Sequence, residues 1–262
     1  MSADLDLTAL DDEGRAALER LIVTLADSKR MMGIRYSDWM LGAPSLETGI
    51  STSSMAQDEC GHARLLYAML KDLGKDPVPM EHDRPASEYA SIAALDEEMP
   101  DWAALVAVMV LADGAITAML RSFAEGSFAP AQSRVPKMLA EEEFHSSLGA
   151  AWYRRLAGAE GEARDLLSGA TRAILPALLA WVGADDAAMT RVVAAGVIGT
   201  AEERLTAFRD DVRDLLALID LDVDSADGTD AWDTVRGRTT GQPAEEAVAR
   251  ARGDLNRALL VE

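Results

Sequence analysis

Residues 57–66 have the sequence QDECGHARLL, in which Glu59 and His62 are three residues apart. The chain contains 3 histidines among 262 residues, and a second one, His145, follows Glu142 at the same interval within AEEEFHSSLG, residues 140–149. Glutamate and histidine at this spacing lie on one face of an α-helix. The repeated Glu-x-x-His pattern therefore predicts two helices that each present a carboxylate and an imidazole in one direction.

The rest of the chain also favours helices, because alternating β-branched runs are missing and Ala, Leu, Arg and Glu dominate. The hydrophobic periodicity predicts helices at about 10–41, 46–73, 100–127, 130–157, 162–184, 186–221 and 243–259. Pro176, inside the fifth helix, predicts a kink or a break. We expect the Pro-rich segment 74–87 to be a long connection and the polar segment 221–243 to be an ordered loop or an arm.

A chain of 262 residues can bury a substantial core, which favours one all-α domain over residues 1–262. Two antiparallel helix pairs joined by a long crossover form a four-helix bundle. We expect this core bundle at about 10–160, with additional helices and a C-terminal arm at about 160–262.

Charge and composition exclude several partner classes. The net charge of −20 makes nucleic acid and anionic membrane poor partners, because phosphate binding needs clustered Lys and Arg. The sequence has no run of 18 or more uncharged apolar residues, so we expect no transmembrane helix, and its acidic start lacks the features of a signal peptide. The single Cys60 excludes an internal disulfide and fits a cytoplasmic protein.

Four of the predicted helices carry polar groups on their apolar stripes. These groups are Lys29, Glu59 with His62, Asp113, and Glu142 with His145. The interval from Lys29 to Glu59 is 30 residues, and the interval from Asp113 to Glu142 is 29. Charged residues are rarely buried unless they are paired or bind a metal. We therefore expect the four helices to bring these groups together in the core.

Two Glu-x-x-His motifs, with one carboxylate from each of two further helices, are typical of a di-iron or di-manganese site in a four-helix bundle. Carboxylate and imidazole ligands suit Fe and Mn, which perform O₂ activation or redox chemistry. The cluster should then span roughly 10 Å, since the metals of two-metal sites are about 3.5–4 Å apart. The alternative is a buried salt-bridge network without metal.

Several polar and aromatic residues are predicted to lie outside the site. Asp58, Glu141 and Glu143 point away from the apolar stripes and are expected in solvent. His82 is assigned to an exposed loop. Tyr36 and Trp152 are expected to fill the core.

These motifs resemble the phenylacetyl-CoA epoxidase (ring-1,2-oxygenase) subunits of the ferritin-like superfamily, which include a catalytic A-type and a structural C-type. QDECGH at 57–62, ADGAI at 112–116 and EEEFH at 141–145 match the A-type patterns. The A-type ending of the first helix, a Trp four residues before Ala-Pro, matches Trp39 with Ala43 and Pro44. The stretch SDWMLGAPSLE at 37–47 is also similar to a C-type segment. The resemblance covers about residues 20–220 and implies an all-α, ferritin-like four-helix bundle with additional C-terminal helices.

The resemblance also implies a function. It is that of a di-iron-type monooxygenase subunit in phenylacetate catabolism, which oxidises an aromatic or other acyl-CoA with O₂. Two Fe ions, or one, or Mn, would be held by Glu59, His62, Asp113, Glu142 and His145, with Glu59, Asp113 and Glu142 as catalytic carboxylates. The implied partners are a homologous subunit or a second copy of the chain, and a separate reductase.

Lys29 departs from the family pattern, since it stands where the A-type has a glutamate ligand on its first helix. Three outcomes are open: a two-metal site with Lys29 or water as a ligand, one metal at Asp113, Glu142 and His145, or a metal-free bridge from Lys29 to Glu59. The third would make the chain a non-catalytic structural partner with a degenerate site. Metal or oxygen sensing or storage has no sequence feature in its favour.

Overall fold

The structure is a computed structural model that describes residues 5–7, 10–254 and 256–259. Helices account for most of the described chain. They are α1 (Asp12–Asp38), α2 (Leu46–Tyr67), α3 (Pro77–His82), α4 (Trp102–Glu125), α5 (Ala129–Ala157), α6 (Glu162–Val182), α7 (Ala187–Ala194), α8 (Ala201–Ala217) and α9 (Glu245–Arg252). Strands β1 (Trp232–Asp233) and β2 (Arg238–Thr239) form a small antiparallel hairpin.

Helices α1, α2, α4 and α5 form the core as two pairs, because α1 packs along α2 and α4 packs along α5. Local sequence fixes where three of them begin. Asp11 caps α1, Ser45 caps α2 and Asp101 caps α4, since each side chain accepts a hydrogen bond from a backbone N–H of the first turn. Short turns link the helices within each pair, and residues 68–101 cross from the first pair to the second.

Within each pair the two helices approach closely at a glycine. A Cβ atom on Gly33 of α1 would lie 3.0 Å from Cys60 Sγ and 3.1 Å from the Ala56 carbonyl oxygen on α2. A Cβ atom on Gly149 of α5 would lie 3.2 Å from Met109 Cβ on α4. Both glycines therefore allow backbone contact next to the polar groups of the core.

Helix α4 is the most buried helix of the bundle. By length and composition alone, α4 and α6 are apolar enough to cross a membrane. However, 94% of the apolar stretch of α4 is buried inside the protein, and 39% of that of α6. Helix α6 packs against α4, and its buried residues include Leu167, Leu175 and Leu178. Both helices thus have their apolar faces directed into the protein's own core.

The prediction of one helix over 186–221 is wrong. The chain forms α7, leaves the helix near Gly196 with φ +69°, and begins α8 after Thr200. Thr200 and Glu203 form a reciprocal capping box, which satisfies the backbone N–H groups at the new N-terminus. Helix α6 is continuous through Pro176, so the predicted break is not there.

The connections are ordered by buried ion pairs. In the crossover, Arg84 binds Asp27 of α1, and Asp27 also accepts a hydrogen bond of 2.7 Å from the backbone N–H of Ala90. His82, predicted in a loop, ends the short helix α3. In the segment 221–243, the fully buried Arg238 binds Asp96. That segment is therefore an ordered loop that closes against the crossover.

Candidate metal centre

Each core helix contributes to one buried cluster. Lys29 comes from α1, Glu59 and His62 from α2, Asp113 from α4, and Glu142 and His145 from α5. None of these residues is more than 2% exposed. The five residues singled out by the sequence as metal ligands are thus brought together, although their role as ligands stays a prediction.

Lys29 lies at the centre of the cluster. Its Nζ is 3.0 Å from Glu59 Oε1, 2.7 Å from Asp113 Oδ1 and 2.6 Å from Glu142 Oε1. Of the three outcomes that the sequence left open, the bridge to Glu59 is present, but it is one contact of three. The ammonium joins one carboxylate from each of the other three core helices.

His145 lies on a second side of the same carboxylates. Its Nδ1 is 3.2 Å from Glu59 Oε1, 3.4 Å from Asp113 Oδ2 and 3.4 Å from Glu142 Oε2. Ligand atoms of Glu59, Asp113, Glu142 and His145 all lie within 4.8 Å of one another. These four residues form a compact group with the ligand types and the spacing of a metal site.

His62 is less well connected than His145. Its Nδ1 lies 3.0 Å from Glu142 Oε1. That contact does not have hydrogen-bond geometry, so neither His62 Nδ1 nor Glu59 Oε2 has a hydrogen-bond partner among the described residues, although both atoms are buried. Buried polar atoms are nearly always paired. The cluster therefore has polar atoms on this side that the protein itself does not satisfy.

Two further carboxylates hold the histidines from outside, and the sequence did not predict them. Glu141 Oε2 lies 2.7 Å from His62 Nε2, and Asp58 Oδ2 lies 3.4 Å from His145 Nε2. The expectation that Asp58 and Glu141 are simply solvated is wrong, because each is only about one-third exposed and contacts a histidine of the opposite helix. Such outer carboxylates fix the ring orientation of metal-binding histidines.

Tyr36 and Thr117 also take part in the cluster. The Tyr36 hydroxyl donates to Asp113 Oδ2 at 2.7 Å, and its ring meets the His145 ring edge to face. The Thr117 hydroxyl donates to Glu142 Oε2 at 3.3 Å. Tyr36 is thus more than the core filler that the sequence predicted, whereas Trp152 packs edge to face against Trp102. Both hydroxyls hold a carboxylate in a fixed orientation.

The electrostatics of the cluster keep Lys29 charged. Burial alone would lower the pKa of Lys29, but the negative charges of Asp113, Glu142 and Glu59 raise it well above its ordinary value. Burial raises the pKa of Glu142, yet the adjacent Lys29 ammonium and the two histidines bring it well below its ordinary value. An ammonium and an ionised Glu142 are therefore the stable states of this pair.

The other titratable groups share the remaining protons. Burial, together with the charges of Asp113 and Glu142, raises the pKa of Glu59 to about 8. Burial opposes protonation of His145, but its contacts with Asp113, Glu142 and Glu59 raise its pKa to about 12. The pKa of His62 is also raised, because its contact with Glu142 outweighs its burial. Without metal, the cluster thus holds extra protons against its excess negative charge.

The bundle and its carboxylate–histidine cluster have the arrangement of four-helix proteins whose core can hold a metal. The phenylacetic acid catabolic protein family matches the chain over residues 1–250, so the chain belongs to this family. The predicted resemblance is confirmed, and so is the prediction of an all-α, ferritin-like fold. A search among curated proteins finds no significant match.

The donor set fits a divalent metal ion. Three buried carboxylates and the His145 imidazole converge, and Glu59 Oε2 has no hydrogen-bond partner among the described residues. Buried carboxylates in such numbers need positive charge to offset their desolvation. Lys29 supplies one positive charge, which leaves two negative charges for an ion or for protons to neutralise.

Proposed function

We propose that the chain is a metal-binding subunit of a phenylacetate-degrading oxygenase complex that oxidises an aromatic acyl-CoA with O₂. The observation that carries the proposal is the buried group of Glu59, Asp113, Glu142 and His145, whose ligand atoms lie within 4.8 Å of one another. Membership of the phenylacetic acid catabolic protein family supports the substrate class. A bound iron ion would supply the redox chemistry that O₂ requires, and manganese fits the same ligands.

The protein's own residues would orient and protect the centre. Glu59, Asp113, Glu142 and His145 would hold the ion. Tyr36 would fix the orientation of Asp113 through its hydrogen bond of 2.7 Å. Because each of the four ligands is at most 2% exposed, the bundle would exclude bulk water from the reaction.

The complex would need further components. The chain has one cysteine and no cluster that could ligate an Fe–S centre, so electrons would come from a separate reductase. A homologous subunit, or a second copy of the chain, would complete the assembly. We place the complex in the cytoplasm, where an acyl-CoA substrate and a reduced Cys60 are compatible.

A second candidate function is a non-catalytic structural subunit that pairs with a catalytic homologue. Lys29 favours this candidate, because its ammonium contacts three carboxylates at 2.6–3.0 Å and takes the place of a metal's charge. A fold that is stabilised by an internal cation does not require metal to form. The two candidates differ in whether the chain itself forms product.

A single-turnover experiment separates them. Protein loaded with Fe²⁺ under anaerobic conditions is mixed with phenylacetyl-CoA, ¹⁸O₂ and two electron equivalents of reductant per chain, which reduce the second oxygen atom to water. We expect mass spectrometry to detect one ¹⁸O atom in the acyl group. Glu143→Gln, a change on the exposed face of α5, should preserve product formation, whereas Asp113→Asn should abolish it. A loaded wild type that forms no product, but that increases the activity of a catalytic homologue, would establish the structural role.

Metal removal gives a supporting measurement. An ion that binds only the folded protein raises its stability by an amount that grows with the ratio of ion concentration to Kd, about 2.7 kcal/mol at 100 times Kd. Treatment with a chelator should therefore lower the melting temperature of protein purified from iron-rich medium. An unchanged melting temperature, with no metal found before treatment, would contradict the metal-binding role.

A further inference from the structure

Lys29 and His145 lie on different sides of the same three carboxylates. The Lys29 ammonium contacts Oε1 of Glu142 and Oδ1 of Asp113, whereas His145 Nδ1 lies next to Oε2 of Glu142 and Oδ2 of Asp113. Glu59 Oε1 contacts both groups. Glu142 and Asp113 thus each direct one carboxylate oxygen toward Lys29 and the other toward His145.

The Lys29 side chain fills one side of the cluster. Three carboxylate oxygens lie within 3.0 Å of Lys29 Nζ, on three different helices. Lys29 Nζ therefore occupies the position between these helices where a second ion would have to bind.

The charges then limit how many ions the cluster can hold. Once an ion has displaced the extra protons of Glu59 and His145, three carboxylates and one ammonium carry a net charge of −2. One divalent ion beside neutral histidines makes the buried cluster neutral, and a second would leave it with two uncompensated positive charges. Uncompensated charge in a protein interior is strongly unfavourable.

We propose that this chain binds a single divalent ion, held by Glu59, Asp113, Glu142 and His145, and that the Lys29 ammonium permanently occupies the second cation position. The inference rests on the metal-binding part of the proposed function. His62 is outside the compact group of ligand atoms. In the proposed centre it stays beside Glu142, 3.0 Å from its Oε1, and does not ligate the ion.

The direct test is metal stoichiometry. Metal-free protein is reloaded with Mn²⁺ under anaerobic conditions, passed through a desalting column, and analysed for metal and protein. We expect one Mn²⁺ per wild-type chain and two per chain in Lys29→Glu, which restores a fourth carboxylate. Lys71→Glu makes the same change of charge on an exposed position and should stay at one.

Each possible number of bound ions per chain either supports the inference or contradicts it. Two ions in the wild type would overturn the inference and leave the oxygenase proposal intact. No ion in the wild type would overturn the inference and the metal-binding role together. Should Lys29→Glu not fold, the wild-type stoichiometry still decides, supported by a His62→Ala variant that is expected to keep one ion. One ion in a folded Lys29→Glu variant would also contradict the assigned role of Lys29.

Discussion

The α1–α2 pair and the α4–α5 pair bring the same kind of groups to the centre at nearly the same spacing, but they differ in charge. The inward group that precedes Glu59 by 30 residues is Lys29, and the group that precedes Glu142 by 29 is Asp113. His145 faces three carboxylates, whereas His62 Nδ1 faces one. The two pairs therefore differ at one position, where the α1–α2 pair has the Lys29 ammonium and the α4–α5 pair has the Asp113 carboxylate. Two copies of a metal motif do not by themselves imply two metal ions.

The largest expected effect follows from removing the cation of the first half. Lys29→Met leaves three buried carboxylates without their counter-charge, which should cost about 3–5 kcal/mol in the metal-free protein. Urea unfolding with chelator present measures the loss. Lys71→Met, on the exposed surface, should change the free energy of unfolding by less than about 0.5 kcal/mol. Equal stabilities for wild type and Lys29→Met would mean that the ammonium does not stabilise the cluster.

The two histidines provide a matched comparison of the halves. His145→Ala removes a ligand of the single ion and should weaken Mn²⁺ binding by about 100-fold, the upper end of the effects seen when ligand support is lost. His62→Ala should weaken it much less. Competition with a fluorescent chelator measures both affinities. Equal losses in the two variants would show that both halves bind metal.

The two outer carboxylates, Asp58 and Glu141, should differ in the same way as the two histidines, with a smaller effect on Mn²⁺ affinity. Asp58→Asn loosens the orientation of His145 and should lower Mn²⁺ affinity by about 10-fold. Glu141→Gln acts on His62 and should leave the affinity nearly unchanged, even though its contact is the shorter of the two. The same competition assay applies. A larger effect from Glu141→Gln would place the ion next to His62 instead.

The smallest effect concerns pH in the metal-free protein. The folded pKa of His145, about 12, is above its unfolded value of about 6.5, so the stability it contributes is fully present below pH 6.5 and is lost as pH rises toward 12. Between pH 7 and pH 8 the free energy of unfolding should fall by about 1 kcal/mol from His145 alone, and Glu59, whose pKa is raised to about 8, adds a fall of the same sign. Mn²⁺-loaded protein should not show this fall, because a metal-bound imidazole nitrogen carries no proton. A metal-free protein with constant stability over this range would contradict protonation of His145.

The sequence predicted the fold well where the hydrophobic period was long and undisturbed. Three of the four core helices begin and end within about three residues of their expected limits, whereas α2 ends at Tyr67 and a 3₁₀ helix covers Ala68–Leu73. The prediction failed at 186–221, where apolar residues continue through a break in the helix. Thr200 and Glu203 gave a capping-box signal there, and Gly196 offered the positive φ that ends α7. The capping residues and the glycine therefore determine where these two helices end and begin, although the hydrophobic periodicity continues through the break.

The site was only partly predictable for a geometric reason. Helical spacing places Glu59 with His62 and Glu142 with His145, because these are contacts within one helix. Asp58 and Glu141 reach histidines of the opposite helix, and that depends on how α2 and α5 pack. A signal was nonetheless available, since each motif glutamate is directly preceded by another acidic residue. The three contacts of Lys29 depend on the reach of one flexible side chain, which no spacing rule specifies.

Helix α1 has buried charges on two of its sides, with consequences for how the chain folds as it is synthesised. Asp27 pairs with Arg84, 57 residues later, and Lys29 pairs with Glu142, 113 residues later. Much of the chain must therefore be synthesised after α1 before these charges can pair, and contacts so distant in sequence form slowly. Nascent chains arrested before residue 142 should have an α1 that proteases cleave readily, and longer ones should protect it. Early protection of α1 would show that it docks without its ion pairs.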